Sequence, residues 1–147
     1  MSKKILIING PNLEMLGKRD KSKYGDFSLE NLTHLLEKEA SHLNCEIEFF
    51  QSNHEGEILD IMHKKNNQIN GCVINAGALT HSSTALHDAI KSIEYPCVEV
   101  HMSNIYSRKE TWRQKSLIAP AVIGTVQGFG ENSYEAAINL LILSLND

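Results

Sequence analysis

Lys4-Ile5-Leu6-Ile7-Ile8, followed at once by Asn9-Gly10-Pro11-Asn12, is the stretch that decides the fold. A short, unbroken apolar run is the mark of a strand buried on both faces, and the Asn-Gly-Pro that follows is turn chemistry. Four more runs repeat the pattern, at 45–50, 72–75, 97–101 and 121–127. Helical spacing fills the intervals. Leu29, Leu32, Leu35, Leu36, Ala40 and Leu43 follow a Ser28 cap; Ile58, Leu59, Met62 and Ile69 suggest a second helix; 84–93 supplies a third. A polar fourth segment surrounds 110–115. The last helix is the clearest, with Tyr134, Ala137, Ile138, Leu141, Ile142 and Leu145 on one stripe. Strand and helix alternating in this way predict an α/β fold: a flavodoxin-like five-stranded parallel sheet, order 2-1-3-4-5, with helices on both faces.

One domain over residues 1–147 is expected for a chain of this length. Eighteen Asp+Glu against fourteen Lys+Arg give a net charge of −4, which argues against nucleic acid and anionic membrane surfaces as partners. No run approaches the ~20 apolar residues of a membrane span, and the apolar start at 5–8 is too short for a signal-peptide core, so a cytoplasmic protein is expected. Cys45, Cys72 and Cys97 lie far apart inside apolar runs and read as reduced core thiols.

In an open parallel sheet, ligands bind beyond the carboxyl ends of the strands. Those positions are polar here: Asn9-Gly10-Pro11-Asn12, Gln51-Ser52-Asn53-His54, Asn75-Ala76-Gly77 and His101-Met102-Ser103-Asn104. Turn-forming preference explains any one of these loops, but four at one edge point to a cleft. Of the fourteen basic residues only Arg19, Arg108 and Arg113 are arginine, all in connections, where a planar guanidinium suits carboxylates and polyols. Arg19 and Tyr24 share a connection of nearly twenty residues after the first strand, long enough to be a lid. A nearby cation favours tyrosinate, which would let Tyr24 act as a base. Glu99 and His101, two apart on a strand, leave from the same face, so the carboxylate can orient the imidazole as a general acid or base requires. His81 stands in a loop with Thr80, Ser82 and Ser83, and Asp88 lies one helical turn further on. His34, His42, His63 and His87 fall within helical patterns as surface residues.

Metal and cofactor signatures fail on spacing. His54-Glu55 lacks the second histidine of a zinc-protease helix, there is no CxxC, and Gly128-Phe129-Gly130 follows the fifth strand instead of opening a dinucleotide fold. A site free of metal and cofactor is expected.

The blocks Ile8-Asn9-Gly10-Pro11-Asn12-Leu13, Leu16-Gly17-Lys18-Arg19, Tyr24-Gly25, Asn53-His54-Glu55-Gly56, Asn75-Ala76-Gly77-Ala78 with Thr80-His81-Ser82-Ser83, Glu99-Val100-His101-Met102-Ser103-Asn104, and Arg108 resemble type II 3-dehydroquinate dehydratase across nearly the whole chain. The resemblance implies a cofactor-free lyase that dehydrates 3-dehydroquinate through an enolate and assembles as a dodecamer built from trimers. It implies Tyr24 as the base, with Arg19 and Arg108 favouring its charged form. It further implies Asn12 holding a water at the oxyanion and His101, oriented by Glu99, as the acid. Asn75, Ser103 and the Met102 backbone would hold the substrate carboxylate, His81 and Arg113 its hydroxyls, and Asp88 would serve a neighbouring subunit's site. Two departures stand out: Asp20-Lys21 replaces the family's usual Glu-Pro, and Arg108 and Arg113 are one residue further apart than is usual. A receiver-type signalling module would need acidic residues where Asn9, Asn12 and Asn75 stand; a non-catalytic scaffold would not need Tyr24, Glu99 and His101.

Overall fold

A computed structural model describes residues 2–18 and 27–146. Its sheet contains β1 (Lys3–Asn9), β2 (Cys45–Gln51), β3 (Gly71–Asn75), β4 (Cys97–His101) and β5 (Gly124–Gln127). The five strands are parallel, in the order β2-β1-β3-β4-β5. Among the described residues the α-helices are α1 (Leu29–Leu43), α2 (Glu55–Lys64), α3 (Thr84–Ser92) and α4 (Asn132–Leu145). This is the doubly wound arrangement predicted from the alternation of runs.

Period two in the strands divides the core. Ile5 and Ile7 of β1, with Val73, Val98 and Val100, face α1 and α4 through Leu32, Leu36, Tyr134, Ile138 and Leu141. Leu6 and Ile8, with Cys72, Ile74 and Cys97, face α2 and α3 through Ile58, Met62, Leu86 and Ile90. A strand covered on both sides has no polar face to alternate with, which is why β1 reads as a continuous apolar run.

The helix starts are set by short polar side chains. Ser28 accepts from the Asn31 amide at 3.0 Å, while the Asn31 side chain accepts from the Ser28 amide at 3.2 Å, a reciprocal capping box. Ser83 caps α3 through the Leu86 amide at 2.9 Å, and its hydroxyl donates to Glu55 at 2.5 Å, tying the starts of α2 and α3 together.

Three departures from the sequence reading have physical causes. The fifth strand begins at Gly124 and not at 121, because Ala119–Ala121 forms a 3-10 turn with a proline in its first turn, and ladder pairing starts only where Val98 meets Gly124. The segment at 110–115 holds a single 3-10 turn, Thr111–Gln114, whose residues are all at least partly exposed; without a buried stripe, an α-helix has nothing to pack. Ile69 lies beyond α2, which stops at Lys64, and packs from the following loop. Cys72 and Cys97 are buried register partners, whereas Cys45, at the start of the edge strand β2, is partly exposed; all three are free thiols. No helix among the described residues is long and apolar enough to cross a membrane.

Candidate active site

β1 and β3 end side by side, with Asn9 opposite Asn75, and their loops pack backbone on backbone. The Gly10 amide donates to the Asn75 carbonyl at 2.8 Å, and a Cβ on Gly10 would stand 2.4 Å from the Ala76 carbonyl oxygen. Gly77 has φ +59, and a Cβ there would meet the Pro11 carbonyl at 2.9 Å. Only glycine permits this approach. Asn12 also has positive φ, which asparagine tolerates better than most residues, and its amide donates to the Asn53 side chain at 2.9 Å.

Above this junction lies a cleft lined, among the described residues, by Pro11, Asn12, Leu13, Asn75, Gly77, Ala78, His81, His101, Met102, Ser103, Ile105, Arg108 and Arg113. The structure therefore gathers Asn12, Asn75, His81, His101, Met102, Ser103, Arg108 and Arg113 from the sequence-predicted set. Glu99 sits directly behind His101. Asp88 does not line this cleft: its side chain is exposed on α3 and lies 3.1 Å from His87. Arg19 and Tyr24 lie outside the described residues. The loop after β2 does not line the cleft either. Gln51 instead donates to the Gly10 carbonyl at 3.2 Å and to Glu14 at 2.7 Å, bracing the loop after β1 from behind.

Among the described residues, the most buried charge-bearing pair is at the end of β4. Glu99 is 1% exposed and His101 6% exposed. The His101 Nε2 lies 2.5 Å from a Glu99 carboxylate oxygen. An ionised carboxylate only accepts, so Nε2 carries a hydrogen and Nδ1 is left to give or take a proton. The other Glu99 oxygen accepts from the Ser116 hydroxyl at 3.0 Å. His81 is fixed differently: its Nδ1 donates to the Lys115 carbonyl at 2.6 Å, which leaves Nε2 as an acceptor in the neutral ring. Arg113 stacks on Trp112, its guanidinium carbon 4.3 Å from the ring centroid, and Trp112 meets the His81 ring edge-on at 5.8 Å. Arg108 donates to the Ser103 hydroxyl at 2.9 Å.

Two contributors escaped the sequence reading. Tyr134, read as a core position of the last helix, receives a hydrogen bond from the Asn75 side-chain amide at 2.8 Å and donates to the Asn9 side-chain carbonyl at 2.6 Å. Burial pushes its phenol well above the ordinary value, with the Asn75 contact pulling the other way. A tyrosine where any large apolar residue would fill the stripe was the available signal. Ser116 gave no signal, because nothing local links it to Glu99. Among the described residues no cluster of His, Cys, Asp and Glu has the makings of a metal site.

The family model for class II dehydroquinase matches residues 3–142. The chain belongs to the class II dehydroquinase family. Its relatives include the 3-dehydroquinate dehydratase of Caldicellulosiruptor saccharolyticus, 52% identical over 140 residues that span 95% of this chain and 96% of that one. Among solved structures, the type II dehydroquinase of Butyrivibrio crossotus is 41% identical with a TM-score of 0.93, covering 95% of this chain and 97% of its own. That of Propionibacterium acnes is 36% identical with a TM-score of 0.92, covering 97% and 98%. Those two type II dehydroquinases thus share this fold over essentially their whole length.

Proposed function

We propose that this chain is a 3-dehydroquinate dehydratase, removing water from 3-dehydroquinate to give 3-dehydroshikimate in the shikimate route to aromatic amino acids. The observation that carries the reading is the buried Glu99–His101 pair opening onto a cleft rich in Asn, Arg and His. Eliminating a β-hydroxyl from a ketone needs a base for the proton next to the carbonyl, a stabiliser for the enolate oxygen and an acid for the departing hydroxyl.

In this reading Tyr24, its tyrosinate form favoured by Arg19 and Arg108, takes the proton. Asn12 holds a water against the enolate oxygen. His101, oriented by Glu99, protonates the leaving hydroxyl, which departs as water while the enolate collapses to the conjugated enone. Asn75, Ser103 and the Met102 backbone bind the carboxylate; His81, accepting through Nε2, and Arg113 bind the hydroxyls. Asp88 acts at a neighbouring subunit's site, in a dodecamer of trimers; its position outside its own chain's cleft supports that division. The positions of Asn12, Asn75, Ser103 and His101 around one cleft support their roles, and those of Tyr24 and Arg19 rest on the sequence motif.

The test is direct. Purified protein, treated with chelator, is mixed with 3-dehydroquinate and followed by ultraviolet absorbance. Growth of the conjugated enone band is expected; its absence from folded protein refutes the assignment.

A further inference from the structure

Glu99 can orient His101 only if the carboxylate is itself held, and the residue that holds it lies in a different element. Ser116 donates its hydroxyl hydrogen to the Glu99 oxygen that His101 does not use, at 3.0 Å. The direction of that bond is fixed, because an ionised carboxylate oxygen can only accept; the Ser116 oxygen in turn accepts from the Ala119 amide at 3.0 Å. Ser116 is also immobilised on either side. The Lys115 carbonyl accepts from His81, the Leu117 amide donates to the Thr80 carbonyl at 2.8 Å, and Ile118 is fully buried in the core beneath α2 and α3.

We propose that Ser116 is a positioning residue for the reaction assigned above, acting through Glu99 on the His101 imidazole. The carboxylate has one torsion about its terminal bond. Ser116 fixes that torsion from one side so that the opposite oxygen faces Nε2. Resting on that assignment, the role lies on the side of leaving-group protonation and not of substrate binding, since Ser116 does not line the cleft. The stretch 115–117 therefore sets both cleft histidines at once, His81 through a carbonyl and His101 through a carboxylate.

The experiment compares Ser116→Ala and Ser116→Thr with the unsubstituted enzyme. Ser116→Ala is expected to lower kcat about ten-fold, short of the roughly 10²–10⁴-fold that a general acid contributes, with KM within about two-fold. Exchange of the substrate's α-proton with deuterated solvent should slow less than elimination does. Ser116→Thr keeps the hydroxyl and should recover most of the rate. In a Glu99→Gln background the Ser116→Ala change should cost nothing further, because the group it acts through is gone. Additive losses in that double variant, an equal fall in exchange and elimination, or a folded Ser116→Thr as slow as Ser116→Ala would overturn the proposal. The link is also read without substrate: the His101 ring resonances should move in Ser116→Ala and return in Ser116→Thr, and unmoved resonances overturn it. Failure of the unsubstituted protein to form enone, with those resonances behaving as expected, refutes the assigned reaction and leaves the hydroxyl–carboxylate–imidazole coupling standing.

Discussion

Tyr134→Phe removes one oxygen atom and leaves two buried groups without a partner. In the intact protein that hydroxyl accepts from Asn75 and donates to Asn9, and those two side chains are 5% and 2% exposed. A stranded buried donor or acceptor costs roughly 1–3 kcal/mol. Two of them, less the desolvation the phenol itself no longer requires, come to about 2–4 kcal/mol. For a chain of this size each kcal/mol moves the thermal midpoint by about 3 °C, so the midpoint should fall by about 6–12 °C at matched protein concentration. The ring still fills its place, so no cavity adds to the loss. Asn75 keeps its contact with the Gly77 amide at 3.2 Å but loses the phenol, so the cleft should bind its ligand more weakly as well. The assays are thermal and urea unfolding followed by circular dichroism, together with KM. Combining Tyr134→Phe with Asn9→Ala should cost less than the two changes separately, because both break the same bond. A midpoint within about 2 °C of the parent, or strict additivity in the double variant, would refute the reasoning.

Co-assembling a Tyr24→Phe chain with an Asp88→Ala chain, each weak alone, should restore activity if sites are completed across subunits; no recovery in verified mixed oligomers places both residues in one protomer's site. Alkaline pH should unfold the protein: burial pushes the Cys72 thiol, the Tyr95 phenol and the Tyr134 phenol above their ordinary values of 9.0, 10.0 and 10.0, so the fold favours their neutral forms. That stability is complete below the ordinary values and is lost as pH rises beyond them, by about 1.4 kcal/mol per pH unit for each phenol that stays protonated only in the fold. Tyrosinate absorbance from Tyr95 and Tyr134 should appear in step with unfolding, and ionisation ahead of it contradicts the burial argument. Trp112 is the sole tryptophan and touches both His81 and Arg113, so 3-dehydroshikimate entering the cleft should change its fluorescence saturably; silence at saturating product would separate the indole from the binding event. The Thr80 hydroxyl is buried without a partner among the described residues, so Thr80→Val, which keeps the shape, should leave stability unchanged or raise it by about 1 kcal/mol in urea unfolding; a loss beyond about 1 kcal/mol shows that the hydroxyl is satisfied.

Wherever the controlling interaction is local, the sequence was readable. Period and length of the apolar runs reveal β1, β3 and β4, Ser28 reveals the start of α1, and the two-residue spacing of Glu99 and His101 reveals their pairing. Legibility ended where partners are far apart in the chain. Tyr134 meets Asn9 across 125 positions, and Ser116 meets Glu99 across 17 positions without a shared element. Gln51-Ser52-Asn53-His54 reads as a fourth wall of the cleft because turn-prone polar residues serve bracing and binding equally well, and the contact of Gln51 with the Gly10 carbonyl is what distinguishes them. The 110–115 segment misled for a related reason: its charges suit a helix surface, but it has no apolar stripe to hold one against the sheet.

The close packing of Gly10 on Ala76, and of Gly77 on Pro11, means that this part of the cleft floor is main chain. Main chain offers natural variation nothing to exchange. A side chain at either glycine would have to drive two loops apart, disturbing Asn12 and Asn75 together. Drift in what the cleft accepts is therefore left to its side chains, at more exposed lining positions such as Ala78, Met102 and Arg113. A synthetic inhibitor pressed against the floor would leave few single-substitution routes to resistance, whereas one that leaned on those side chains would leave several.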